Sequence, residues 1–380
     1  MLIALNEPRQ LLVTLHAGLL RLFDVSSGAA RDISSTPLAD GWWVASCEPF
    51  VGVLTGKLAQ AQASVRGAKL ARFSWDLAPL GAVSLGEVEK RGASLTADGS
   101  RLVTTVWTSC RVAVFDVASN KLVAANGVSI PSGASFSPDG SRIIAGTADQ
   151  GTGEILFLDP TRAQDGVLPM EELLPPSQSP GLDDAPYFSV FSPSGRLAAI
   201  SNESWGGRGV HVFDMDAKKP LWGVVLDSSS EEPEEWSPPM VAFAAGDALL
   251  LVRTPGAIRA HDAVSGKKLG SIAVKGDGGF AVDEARRKAW IPGAEPTAHD
   301  LPAAWWPSGA AVSPRASRSA PVSAGAGPAK KPAKKVAAKQ VATKKPAKNA
   351  AAKPATRKPT GKAPTKARAS AASKRGGRKG

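Results

Sequence analysis

Cysteine, histidine and tyrosine are scarce in this sequence, at two, four and one residues out of 380. Cys47 and Cys110 supply neither a disulfide framework nor a metal-ligand spacing, so no metal and no cofactor is expected. No run approaches the ~18 apolar residues of a membrane span. Met1–Leu5 is apolar but has neither the basic leader nor the length of a secretory signal. These absences point to a cytoplasmic protein without membrane contact, nucleoid-associated in a bacterium or nuclear in a eukaryote. No window before residue 313 keeps a 3.6-residue period for a helix length, which excludes helical repeats.

Acidic residues are missing altogether from residues 313–380, a stretch that holds 20 of the 46 Lys and Arg. The remaining 312 residues carry 26 basic and 34 acidic side chains, a net of −8. The chain is an acidic body with a basic tail, and the two parts call for different partners.

The body repeats. Ser135–Asp159 reads as strand, turn at Pro138-Asp139-Gly140, strand, Gly-rich loop, and a third strand that stops at an Asp. The same ending recurs at Asp24, Asp76, Asp116, Asp159, Asp214, Asp262 and Asp300, a mean spacing of 46 residues. A turn precedes each of these endings and a hairpin turn follows most of them. Units of this size with four short strands predict an all-β fold, a seven-bladed β-propeller of four-stranded antiparallel blades, over residues 1–312. A four-stranded sheet cannot cover both its faces alone, so blades stack around an axis. Residues 1–33 hold four strands by themselves, and Ala310–Val312 offers one more; the pattern leaves the closure of the ring open.

On FSPDG in the fourth unit, FSPSG in the fifth and the hydrophobic-Asp endings, residues 1–306 resemble the WD-repeat and bacterial YVTN-type propellers. The Gly-His pair of many WD repeats is absent, and Trp75-Asp76 alone keeps the dipeptide of the name. The resemblance implies the fold and no particular partner.

In such blades the first-to-second and third-to-fourth turns share one face, here termed the turn face. Second-to-third loops and inter-blade connections share the other, the insertion face. Length variation falls on the latter, at 56–67, 169–186, 203–208 and 227–239, and insertions on a rigid scaffold are where binding concentrates. These segments carry Glu171, Glu172, Asp183, Asp184, Tyr187, Glu203, Trp205, Glu231, Glu232, Glu234, Glu235 and Trp236. Acid mixed with aromatic residues suits a basic protein partner; plain solvated loops are the competing reading.

Catalytic motifs do not emerge, and no enzyme is expected. Gly52–Lys57 imitates a phosphate loop but is one residue short, has Leu58 where Ser or Thr belongs, and precedes no helix. His261 and His299 hold the place of Phe23, Phe115 and Phe213 in sister units, which marks them as structural. The alternative is an enzyme or small-ligand propeller in which Asp183, Asp184 or Glu203 meet near the axis, with an incidental tail.

The tail is built of Ala, Lys, Pro, Thr and Ser, without an aromatic after Trp306. Frequent Pro and like-charge repulsion predict disorder over 313–380. Its KPAKK-type phrases resemble the carboxy-terminal tails of linker histones and of bacterial histone-like proteins, which implies non-specific binding to DNA or RNA. Counterion release gives the same expectation independently. The candidate phosphate contacts are Lys330, Lys331, Lys334, Lys335, Lys344, Lys345, Lys348, Lys353, Arg357, Lys358, Lys374, Arg375, Arg378 and Lys379. The function expected is a monomeric, non-enzymatic scaffold that holds a protein partner on its ring and nucleic acid on its tail.

Overall fold

The computed structural model describes residues 3–58, 64–89, 92–106, 109–128, 130–147, 153–174, 186–204, 207–227, 239–275 and 278–307. Within them lie seven antiparallel sheets arranged as a β-propeller. Blade 1 is β1 (Ile3–Asn6), β2 (Leu11–His16), β3 (Leu19–Asp24) and β4 (Arg31–Pro37). Blade 2 is β5 (Gly41–Ser46), β6 (Val51–Leu58), β7 (Ser64–Phe73) and β8 (Pro79–Glu89). Blade 3 is β9 (Ala93–Leu95), β10 (Arg101–Val106), β11 (Arg111–Asp116) and β12 (Lys121–Gly127). Blade 4 is β13 (Pro131–Phe136), β14 (Ile143–Thr147), β15 (Ile155–Leu158) and β16 (Met170–Leu174). Blade 5 is β17 (Pro186–Phe191), β18 (Leu197–Ser204), β19 (Gly207–Asp214) and β20 (Lys219–Asp227). Blade 6 is β21 (Met240–Ala244), β22 (Leu249–Thr254), β23 (Ala257–Asp262) and β24 (Lys268–Ala273). Blade 7 holds β25 (Ala281–Asp283), β26 (Lys288–Ile291) and β27 (Thr297–Asp300). Ala310–Val312, the candidate for a further strand, lies outside the described residues.

Burial explains the strand sequences. Middle strands have a neighbouring blade on both faces and are mostly apolar: every residue of β14, β15 and β22 is buried, the polar Thr147, Arg253 and Thr254 included. Outer strands face water and alternate, as in β24. The core therefore lies between blades. Ile144, Ile155 and Phe157 of blade 4 pack against Phe191, Ile200 and Phe213 of blade 5. Phe157 meets Phe213 edge-on at 6.4 Å. Each such side chain contributes about 1.5–3 kcal/mol through burial.

The recurrent Asp is explained by the third-to-fourth turn. Asp262 accepts from the amide and the hydroxyl of Ser265, both at 2.7 Å. Asp24, Asp76, Asp116, Asp159 and Asp214 likewise accept backbone N–H groups from the residues that follow them. A carboxylate that satisfies turn amides lets the chain reverse without orphaned donors. Asp300 departs from this pattern and pairs instead with Lys288 at 2.8 Å.

The first-to-second turns have their own network. Asp139 accepts from the Ser137 hydroxyl at 2.6 Å and from the Ser141 amide at 3.0 Å, while Ser137 Oγ accepts from the Arg142 amide. Thr96, Asp98, Ser100 and Arg101 repeat this arrangement in blade 3. Gly99 holds its left-handed corner at φ +69°, and a Cβ there would lie 2.6 Å from Phe50 and 2.8 Å from Cys47. In blade 5 Ser194 replaces the Asp, and Asp247 of blade 6 accepts from the Ser194 amide at 3.1 Å.

The ring closes face to face. Each inner strand lies beside that of the next blade, and β25 lies beside β1. Trp290 of blade 7 packs among Ile3, Leu12, Phe23 and Val25 of blade 1. Arg286 pairs with the fully buried Asp283 at 3.2 Å and donates to the Ser26 carbonyl at 2.6 Å and to Gln10 Oε1.

Candidate functional site

The turn face is self-satisfied. Its carboxylates accept hydrogen bonds from their own corners or, as Asp247, Glu284 and Glu7 do, from the corner of a neighbouring blade, and several sit below the usual carboxylate range. For Asp262 the cause is first the Ser265 amide and then its hydroxyl. For Asp139 burial works in the opposite direction and is outweighed by the hydroxyls of Ser137 and Ser141 and the Ser141 amide. Groups consumed in this way hold the scaffold and leave little with which to grip a ligand.

The insertion face differs from the sequence expectation in three places. Segment 203–208 lengthens two strands rather than forming a free loop. β18 and β19, eight residues each, stay paired through Glu203↔Arg208 and Ser204↔Gly207, so all of the segment but Trp205 and Gly206 lies in paired strand. Glu171 and Glu172 are not in a loop either, because β16 pairs with β15 through Leu174 and carries both residues on the outer rim of blade 4. There Glu171 pairs with Lys218 of blade 5 at 3.2 Å. Tyr187 belongs to β17, the innermost strand of blade 5, rather than to the connection before it. Asp183, Asp184, Trp205, Glu231, Glu232, Glu234, Glu235 and Trp236 lie outside the described residues, as do all the Lys and Arg candidates from Lys330 to Lys379. The ends of β16, β17, β20 and β21 that bracket segments 175–185 and 228–238 do open on the insertion face.

The axis holds a contact that the sequence reading did not single out. Trp43 of blade 2 stacks on Phe188 of blade 5, ring centroids 5.3 Å apart and planes at 19°. These blades are not neighbours, so the stack bridges the ring across its axis. Both residues lie near the starts of their inner strands, which places the bridge toward the insertion face. Trp43 Nε1 donates to the Ala93 carbonyl at 3.3 Å. Gly92 makes room for the indole: a Cβ there would sit 2.4 Å from the ring. A Trp-Trp pair opening an inner strand was the available signal.

Acid–base chemistry is sparse near the axis. Among the described residues the seven inner strands carry one carboxylate, Asp283, already paired with Arg286, and no Lys, Arg or His. Among the described residues no group of three or more His, Cys, Asp or Glu side chains converges as a metal site. Gly52–Lys57 lies within β6, hydrogen-bonded on both sides to β5 and β7, so it forms no phosphate loop. His261 is buried, stacks on Trp222 at 5.7 Å and lies 3.1 Å from the Gly266 carbonyl through Nδ1. Burial holds its pKa below the ordinary value, as suits a structural imidazole. Cys47 and Cys110 stand at opposite faces and form no disulfide. A shallow depression of about 330 Å³ on blade 4, lined by Arg162, Gln164, Val167 and Pro169, lies at the rim and away from the axis.

No family model and no curated protein matches the sequence. Among solved structures, a chain of the mitotic checkpoint complex is similar over 76% of this chain and 84% of its own, with 12% identity and a TM-score of 0.54. A chain of the hydrazine synthase of Kuenenia stuttgartiensis is similar over 70% of this chain and 97% of its own, with 13% identity and a TM-score of 0.45. The first likeness is one of fold alone, and it accords with the seven antiparallel sheets of the ring.

Proposed function

We propose that the protein is a non-enzymatic scaffold whose basic tail binds nucleic acid without sequence preference while the propeller presents its insertion face to a protein partner. The observation that carries this reading is the partition of charge: 20 cations and no acid in residues 313–380, against a net of −8 in the rest. Cations at that density release condensed counterions from a phosphate backbone and bind it through charge alone. The tail has no aromatic side chain to stack on bases, so it recognises the polyanion and not its sequence.

Two features of the ring favour a platform over an axial catalyst. The Trp43–Phe188 stack crosses the axis toward the insertion face, and among the described residues the inner strands carry one carboxylate, Asp283, which Arg286 already engages. The acid-rich segments 175–185 and 228–238 both leave from the surround of blade 5, where a basic protein surface would find its counterpart. The test compares the full chain on two unrelated duplexes of equal length. Equal affinities fit the reading; a preference above tenfold for one sequence would overturn it.

A further inference from the structure

Blades 3 and 4 treat their outer edges differently. On blade 3 the chain itself covers the edge of β12: the Ala125 amide donates to the Gly166 carbonyl and the Leu168 amide to the Ala125 carbonyl, both at 2.9 Å. Asp165 and Gly166, at φ +51° and +78°, make the tight turn that brings Val167 to this bridge. On blade 4, β16 pairs with β15 and, among the described residues, with nothing on its other side. The Asp159 amide donates to the Pro169 carbonyl at 3.0 Å, so the next pair, Met170 with Leu158, is a non-hydrogen-bonded one. Met170 therefore turns its N–H and C=O to the open side. An edge of this kind is a template for another strand.

The side chains on this edge are sorted. Three of the ten large apolar residues exposed among the described residues, Val167, Met170 and Leu173, fall within seven consecutive positions. Cross-strand neighbours share a face. Met170 and Leu173 oppose Leu158 and Leu156, which pack toward blade 3, while Glu172 opposes Phe157, which packs toward blade 5. The edge is apolar on one side and acidic on the other. It is also held in place, since Leu174 is buried and Glu171 is bound to Lys218 of blade 5 at 3.2 Å. The depression of about 330 Å³ lined by Arg162, Gln164, Val167 and Pro169 continues the apolar strip beyond Met170.

We propose that β16 takes up an extended segment of a partner protein by strand addition, with apolar residues beside Met170 and Leu173 and a Lys or Arg beside Glu172. Main-chain bonds to the edge supply affinity, and the alternation of apolar and basic residues supplies selection. A second copy of this chain fits less well. Two β16 strands paired antiparallel about their middle bring Glu172 against its counterpart, and like charges directly opposite are destabilising. The surface lies on the outer rim, and the proposal holds whether or not the insertion face binds a partner.

The test is amide hydrogen exchange on the full chain, alone and with each of two capped hexapeptides, one alternating Lys and Val, the other Glu and Val. The Met170 amide is expected to exchange freely in the protein alone and to slow with the Lys–Val peptide only. Glu172→Lys is expected to weaken that peptide about tenfold, while Glu295→Lys, at an exposed acid on blade 7, leaves it unchanged. Slowing by both peptides alike, or by neither, overturns the proposal, as does an equal loss in the two variants. A Met170 amide already protected in the protein alone overturns it as well. If that protection is independent of concentration, the chain covers its own edge; if it rises with concentration, a second copy does.

Discussion

Replacing Trp43 tests whether opposite sides of the ring are held across the axis. The indole is 9% exposed, stacks on Phe188, and gives its N–H to the Ala93 carbonyl. Removing a buried aromatic typically costs about 3–5 kcal/mol. Of that, the stack accounts for about 0.5–1.5 kcal/mol and the hydrogen bond for about 1 kcal/mol. Phe188 is half-buried, so Phe188→Ala is expected to cost less than Trp43→Ala. The assay is urea unfolding followed by far-ultraviolet circular dichroism, on the full chain and on both single variants and the double. The cycle isolates the cross-axis term, expected at about 0.5–1.5 kcal/mol of coupling. Trp43→Phe should retain much of the stack and lose the hydrogen bond. Additive losses within about 0.3 kcal/mol would refute the reasoning, because they would mean that each ring serves its own blade alone.

Two further outcomes follow from the corners of the blades. Burial pushes the Cys47 thiol up to about 12, while Cys110 is exposed. A thiol reagent at pH 8 should therefore label one cysteine in the native protein and two in denaturant, and rapid native labelling of both would contradict the packing around Gly99. The corner carboxylates Asp98, Asp139, Asp159 and Asp262 have folded pKa values below the unfolded 3.8. Their contribution is therefore present above pH 3.8 and is lost as pH falls through the folded values. The urea midpoint should drop on acidification below about pH 4, less steeply in Asp139→Asn; a midpoint that rises would reverse the sign and sink the argument.

Much of the architecture is written in local chemistry. The Asp endings were legible because six of the seven do the same work, taking the amides of a turn within a few residues. What depends on contacts between blades was not. The Asp247–Ser194 bond substitutes a neighbour's carboxylate for the Asp that the fifth unit lacks, and no local pattern announces it. Trp43 and Phe188 meet only because the ring brings blades 2 and 5 together. Glu171 and Glu172 read as loop because they fall in the long connection 169–186, yet an outer strand with one face in water tolerates charge. Glu203, Ser204, Gly207 and Arg208 are polar or Gly, which conceals that β18 and β19 carry all four in paired strands.

The scaffold account rests on the tail as the nucleic-acid element. The direct measurement is duplex-DNA affinity of the full chain and of residues 1–312, from 50 to 200 mM salt. Engagement of six to ten phosphates predicts that the full chain weakens about 10³- to 10⁵-fold across that range, while residues 1–312, with a net charge of −8, show no binding. Equal binding by both proteins, or weak and salt-insensitive binding by the full chain, would contradict the account.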